Sequence, residues 1–339
     1  MIRTTFALCA SLALSAAAAL PAAAQTAIKY ASDWKWEGPS APFLLALERG
    51  YYKEEGLDVA MDTGQGSRES IPRVASGGYQ MGFGDFNSLV RFVDQNPGIP
   101  VKAVLMVYNK PAFAIVGRRS QGVEAPKDLE GRKLGAPAPD AAWAQWSAFV
   151  DAAGIDPAKV TVENIGFPVR EPMLARGEVD AVAGFSFSVF LNLKAAGVPE
   201  DDINVMLMAD HGLDMYGNAV FVNGDWAAAN PDAVAGFVRA TLRGVKDAAA
   251  DPEAAVEYVL AKNDVARREV ELERLKLSLA QNFLTDEVAA NGFGGIDPAR
   301  FERSLKQIDM TGAFDGDWPT LDEVFDASFL PPADERRIP

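Results

Sequence analysis

A short syntax occurs twice in this sequence, and it dictates most of the architecture. Arg68-Glu69 opens a helical stretch carrying Ile71 and Val74, Gly77-Gly78 ends it, and residues 79–83 come next as a strand. Further along, Arg170-Glu171, a helix to Arg176, Gly177 and a strand at 179–183 repeat that order with slightly different spacing. Glycine suits both stops, because it takes the left-handed conformation that ends a helix at little cost. Around the first copy, residues 28–31, 57–61, 101–108 and 113–116 read as further strands, and Gly50 stops a helix at 43–48. Around the second, 133–136 and 160–164 read as strands, and Asp140 precedes a helix bearing Trp146, Phe149 and Val150. Strands alternating with helices of this length predict parallel α/β construction. Two such lobes facing one another create a cleft, and ligands favour the space outside the carboxyl ends of the strands.

Beyond Tyr216 the pattern changes. Residues 218–222 read as a strand returning to the first lobe, and the remainder of the chain is helical. Val234, Phe237, Val238, Leu242 and Val245 form one apolar stripe at helical spacing, which is the signature of core packing. Further helical patterns cover 254–260, 265–283 and 298–308. Phe329-Leu330-Pro331-Pro332 cannot continue a helix, and the charged tail after it is expected to fray. The division this implies is a discontinuous first lobe of 25–116 and 218–339, and a second lobe of 117–217.

The N-terminus carries Arg3, an apolar Ala/Leu/Ser run from Phe6 to Leu20, and Ala22-Ala23-Ala24 before Gln25. A charged start, an apolar centre and a small-residue exit make residues 1–24 a secretory signal peptide. The run is too short and Ala-rich for a membrane anchor, which needs about 20 strongly apolar residues. Cys9 precedes most of the run, the wrong place for lipid attachment, and no cysteine comes after it, so the mature chain has no disulfide framework. With 49% hydrophobic residues a sizeable core is available. A net charge of −15 argues against nucleic acid and against an anionic membrane surface, both of which need clustered Lys and Arg.

Several stretches resemble one family: Ala46-Leu-Glu-Arg-Gly50-Tyr-Tyr-Lys-Glu-Glu-Gly56-Leu-Asp-Val59, Pro126-Lys-Asp-Leu-Glu-Gly-Arg-Lys-Leu-Gly135, Ala175-Arg-Gly-Glu-Val-Asp-Ala181, and Asn230-Pro-Asp-Ala-Val with Phe237-Val-Arg-Ala240. In these the chain is similar to the nitrate/sulfonate/taurine and thiamine-pyrimidine-precursor group of periplasmic binding proteins. The resemblance implies a two-lobed type II periplasmic binding protein with two crossover strands, placed near 113–116 and 218–222, and a helical C-terminal region. It also implies a periplasmic protein that binds a small-molecule ligand, acts as a monomer and serves an inner-membrane ABC permease without a cofactor or metal.

Candidate ligand residues come from geometry, since segments leaving the strand ends must line the mouth. The loop 33–37 carries Trp34 and Trp36, costly to expose unless they cover something flat or one of them caps the lobe's own core, with Glu37 beside them. Gln65, Gly66 and Ser67 present backbone N–H groups at a helix start, suited to a carboxylate, sulfonate or carbonyl, unless they form a mere turn. Asp85 and Asn87 lie just after a strand, where each either meets ligand donors and acceptors or caps the next helix. Asn109 and Tyr216 approach the crossovers. On the opposing lobe, Trp143 and Phe185 either close an aromatic sandwich or pack in the core. Arg170, at a loop–helix entrance, is the leading anion candidate; its alternative is an exposed salt bridge with Glu171 or Asp180.

Where the family's pyrimidine binders carry Trp-x-Pro-Asn-x-x-His, this chain reads Trp34-Lys-Trp-Glu-Gly-Pro-Ser40. The departure weakens a thiamine-pyrimidine ligand while leaving other aromatic heterocycles open. Indoles reward a planar ring by about 0.5–1.5 kcal/mol per aromatic pair beyond burial, whereas Glu37 and Asp85 would repel an anion. A nitrogenous aromatic, such as a pyrimidine or flavin-like precursor, is therefore the expected ligand, with an alkylsulfonate as the alternative. Fungal thiamine-pyrimidine synthases share the family fold, but an enzyme would need a metal or nucleophile constellation. The single histidine, His211, cannot supply one alone. A ligand-sensing subunit is the remaining alternative.

Overall fold

The computed structural model describes residues 25–310, 314 and 317–339; the expected signal segment 1–24 lies outside the described residues. β1 (Thr26–Ala31) buries Ile28 and Tyr30 and leaves Lys29 exposed, the alternation of a strand with one covered face. It pairs in parallel with β2 (Leu57–Asp62) on one side and β3 (Met81–Asp85) on the other. With β4 (Val101–Met106) and β10 (Asn218–Asn223) they form a five-stranded sheet in the order β2-β1-β3-β10-β4. The second sheet holds β5 (Phe113–Arg118), β6 (Lys133–Ala136), β7 (Thr161–Asn164), β8 (Ala181–Phe185) and β9 (Ile203–Leu207) in the order β7-β6-β8-β5-β9.

The parallel construction is interrupted in each sheet by one antiparallel strand. β10 runs antiparallel between β3 and β4, and β5 antiparallel between β8 and β9. The reason is topological. Both crossovers leave from the carboxyl ends of a sheet's parallel strands and enter the other sheet at the same edge, so the entering strand must run away from the cleft. Accordingly β5 lies wholly in the second sheet. The crossover placed at 113–116 moves back to 107–112, the one placed at 218–222 moves back to 208–217 because β10 lies wholly in the first sheet, and the first segment of lobe 1 ends before Phe113 rather than after Val116.

The predicted stripe Val234, Phe237, Val238, Leu242 and Val245 is buried along the helix Pro231–Ala250, which packs on the helix Ala41–Glu48. Gly244 permits that approach: a Cβ there would stand 2.2 Å from the Pro42 carbonyl oxygen. The Phe237 ring stacks on Tyr52 and Tyr30 at centroid distances of 4.8 and 5.6 Å, tying the helix to β1. A later helix, Arg268–Ser278, packs against Ser186–Ala195 of the second lobe, so the C-terminal region touches both lobes. The tail does not fray as expected. Arg336 accepts from the Phe293 N–H (2.9 Å) and donates to the Phe293 carbonyl (2.6 Å), which pins it to the first lobe. Among the described residues no helix is long and apolar enough to cross a membrane.

Candidate functional site

Between the sheets, at the carboxyl ends of β1, β3 and β8, lies a cavity of about 740 Å³ measured out to its open mouth. Its floor is aromatic. Tyr108, on the first crossover, meets Phe83 edge-on at 5.5 Å and Phe185 and Phe187 of the second lobe at 6.2 Å each. Tyr30 and Phe43 complete the wall on the first lobe. Trp34 projects from the loop after β1 and meets Phe167 of the opposing lobe edge-on at 4.6 Å. Its indole N–H is buried without a partner, a donor that costs free energy until something accepts from it. Trp36 also lines the cavity while packing on the first lobe's core, and its carbonyl accepts from Asn263.

Carboxylates surround this aromatic box. Asp33 Oδ2 accepts from Ser67 Oγ (3.0 Å) and Asn218 Nδ2 (2.7 Å), and its carbonyl accepts from the Gly66 N–H (2.6 Å). Burial pushes its carboxyl up to about 7, against the opposing effect of the Ser67 and Asn218 hydrogen bonds. Glu37 is held by Lys35 at 3.1 Å, by Arg274 at 3.4 Å and, across the cleft, by the Ser188 hydroxyl at 3.4 Å. Asp140 caps the helix Ala141–Ala144, accepting from the Ala142 and Trp143 N–H groups, and pairs with Arg170 at 3.2 Å. Burial raises the Asp140 carboxyl, with Arg170 opposing.

Arg170 lies inside the cavity wall, but it is not free for an anion. Its Nε and Nη2 bond to Glu171, and Nη1 to Asp140 and the Ala183 carbonyl. The pair with Glu171 forms, but it is buried rather than exposed, and the second carboxylate is Asp140 rather than Asp180. Gly66 and Ser67 also line the cavity. Gly66 has φ +113°, and a Cβ on it would stand 2.6 Å from the Pro139 carbonyl oxygen of the opposite lobe. It is a lobe contact as well as a wall.

The structure therefore brings Trp34, Trp36, Glu37, Gly66, Ser67, Arg170 and Phe185 to one cleft and leaves six candidates outside it. Gln65 is exposed, with its N–H given to Glu69. Asp85 caps the helix Phe86–Gln95, and Asn87 Nδ2 bonds to Asp85 and the Tyr216 carbonyl. Trp143 stacks on Trp146 at 5.8 Å and packs into the second core. Asn109 and Tyr216 belong to a separate hinge network: the Tyr216 hydroxyl and Asn109 Nδ2 both bond to Glu287, and Arg300 lies 4.1 Å over the Tyr216 ring. Phe167 and Phe187 escape the sequence reading. Phe167 precedes Pro168 at the loop–helix entrance that singles out Arg170, so the same rule finds it. His211 lies apart from the cleft, edge-on to Phe149 at 6.3 Å.

Two α/β sheets, each completed by an antiparallel strand from the other side of a double crossover and closed over one cleft, define the type II periplasmic binding fold. The aliphatic-sulphonate-binding protein SsuA from Escherichia coli superposes with a TM-score of 0.68 at 12% identity, covering 90% of this chain and 99% of that one. Residues 38–255 match the family model described as NMT1/THI5 like, and the chain belongs to that family. Riboflavin-binding protein RibY of Chloroflexus aurantiacus is 27% identical over 296 residues, 86% of this chain and 82% of its own. The formylaminopyrimidine-binding protein of Halalkalibacterium halodurans is 25% identical over 284 residues, 82% of this chain and 83% of its own. A 4-amino-5-hydroxymethyl-2-methylpyrimidine phosphate synthase from Aspergillus parasiticus is 26% identical over 239 residues, 68% of this chain and 69% of its own.

Proposed function

We propose that this protein is the exported, monomeric solute-binding component of an ABC importer, and that it holds an aromatic nitrogen heterocycle between its lobes for delivery to an inner-membrane permease. The observation that carries the reading is the aromatic box between the lobes, with an unpartnered indole N–H from Trp34 and a buried Asp33 carboxyl at its edge. Flat rings gain from Trp34, Trp36, Tyr108 and Phe167, while a ring nitrogen or carbonyl can accept from the indole and a ring N–H can donate to Asp33. The two relatives named for riboflavin and formylaminopyrimidine bind rings of this type and match most of the chain's length.

Binding without conversion is the part of this reading that separates it from the synthase. Among the described residues the cavity wall contains neither cysteine nor histidine, and of its carboxylates Glu37 is held in ion pairs, Asp140 in a helix cap and an ion pair, and Asp33 by the Ser67 hydroxyl and the Asn218 amide. The test is a thermal-shift and calorimetric screen of the mature protein with riboflavin, formylaminopyrimidine and an alkylsulfonate, then mass spectrometry of the recovered ligand. A heterocycle at 100 times its Kd should add about 2.7 kcal/mol of stability and be recovered unchanged. Stabilisation by the sulfonate alone would refute the ligand class, and stoichiometric conversion would refute the binding role.

A further inference from the structure

We infer that the cleft sorts ligands by charge: it admits an uncharged or protonated heterocycle and rejects the same ring carrying a phosphate, sulfonate or carboxylate. This rests on the proposed heterocycle ligand and deepens it. The wall contributes three carboxylates, Asp33, Glu37 and Asp140, against two cations, Lys35 and Arg170. Immediately behind it stand Glu171, Glu271 and Arg274, all buried. Five carboxylates therefore face three cations, and each cation is already held by a carboxylate of the protein.

Arg170 bonds through all three of its nitrogens, and backbone encloses it so tightly that a Cβ on Gly184 would stand only 2.6 Å from Nη1. Arg274 gives Nη1 to Glu271 and Glu37 and Nη2 to Asn192. Lys35 reaches Glu37, but its side chain is 57% exposed, so water screens most of its charge. An entering anion would have to displace one of these pairs or remain beside an excess of negative charge in a poorly solvated cavity, and a broken buried pair strands a charge. At the helix start of Gly66 and Ser67, the Gly66 N–H is taken by the Asp33 carbonyl and the Ser67 hydroxyl by the Asp33 carboxyl, so both donors are already engaged.

Calorimetry with matched pairs tests this: 4-amino-5-hydroxymethyl-2-methylpyrimidine against its phosphate ester, and riboflavin against riboflavin 5′-phosphate. For the pair whose uncharged member binds, the anionic member should bind at least 100-fold more weakly when its charge sits on a one-carbon arm, and at least 10-fold more weakly on the longer ribityl arm. Affinities within threefold would overturn the inference and leave the heterocycle reading standing. If no heterocycle binds and an alkylsulfonate does, the underlying reading fails instead. Asp140→Asn supplies a second measurement that should fold, because asparagine caps helices as well as aspartate does. It should narrow the discrimination at least fivefold by removing one carboxylate and freeing a guanidinium nitrogen. A variant that folds, binds the uncharged member and keeps the full discrimination would also overturn it.

Discussion

Gln145→Leu should weaken ligand binding although Gln145 does not line the cavity. The side chain is fully buried between the lobes, where its Nε2 donates to Asp85 Oδ2 at 3.0 Å and its Oε1 accepts from Arg91 Nη2 at 2.9 Å. Asp85 loses little of its own support in the variant, because Asn87 and Ser88 supply it with two backbone and two side-chain donors from the first lobe. Arg91 loses its acceptor, and Nη1 is already buried without one. The damage therefore falls on the closed arrangement, since in an opened protein water reaches these groups. Hydrogen bonds to charged partners are worth about 1.5–3 kcal/mol each. Leucine restores some apolar contact, so a net loss of about 1.5–3 kcal/mol is expected, a Kd roughly 10- to 150-fold higher. Calorimetry gives the Kd, and solution scattering gives the radius of gyration with and without ligand. A Kd within twofold of the parent, with the same ligand-induced contraction, would refute the idea that this clasp holds the lobes shut.

Trp34→Ala removes an interlobe contact and the unpartnered indole donor together, and should weaken heterocycle binding by about 1–3 kcal/mol while changing the unliganded melting temperature little; loss of stability with affinity intact would make it a packing residue. Asp33 makes unliganded stability depend on pH in a definite direction. Its folded pKa near 7 lies above the ordinary value of 3.8, so the folded state holds the extra proton and stability contributed by this group falls as pH rises from about 4 to 7. Denaturant titrations of the parent and Asp33→Asn across that window should differ in slope accordingly, and parallel curves would contradict it. N-terminal sequencing of the exported protein should begin at Gln25; an intact Met1 in the membrane fraction would rule out cleavage.

Much of the architecture is legible because it is written in local signals. Gly77 and Gly177 both end helices in the left-handed region, at φ +79° and +73°, where a side chain would be strained, and each precedes a strand of its sheet. The apolar stripe on Pro231–Ala250 is equally plain, since a helix that buries one face needs no knowledge of its partner. Strand direction is not legible. Nothing within residues 113–118 says that they pair with β8 and β9 rather than with β4, because an apolar run reads alike in either sheet and either orientation. The tail misleads for a similar reason: Pro331 and Pro332 exclude a helix, but the bonds between Arg336 and Phe293 depend on residues brought together only by the fold.

The candidate site shows more sharply where local reading ends. Asp85 and Asp140 each come after a strand and cap the next helix, yet only Asp140 lines the cleft. The difference lies in the residues that occupy the next turn. After Asp85 come Phe86, Asn87 and Ser88, and the Asn87 amide and Ser88 hydroxyl add side-chain donors to the two backbone ones, so each carboxylate oxygen has two local donors, and Gln145 of the other lobe adds one more to Oδ2. After Asp140 come Ala141, Ala142 and Trp143, and their side chains give Asp140 no bond. Oδ1 takes both backbone N–H groups, and Oδ2 turns to Arg170 at the cleft wall. Capping and lining look like alternatives for such a residue, but a carboxylate has acceptors enough for both. Which it does is decided by how many donors its own helix supplies, and that count can be made from the sequence.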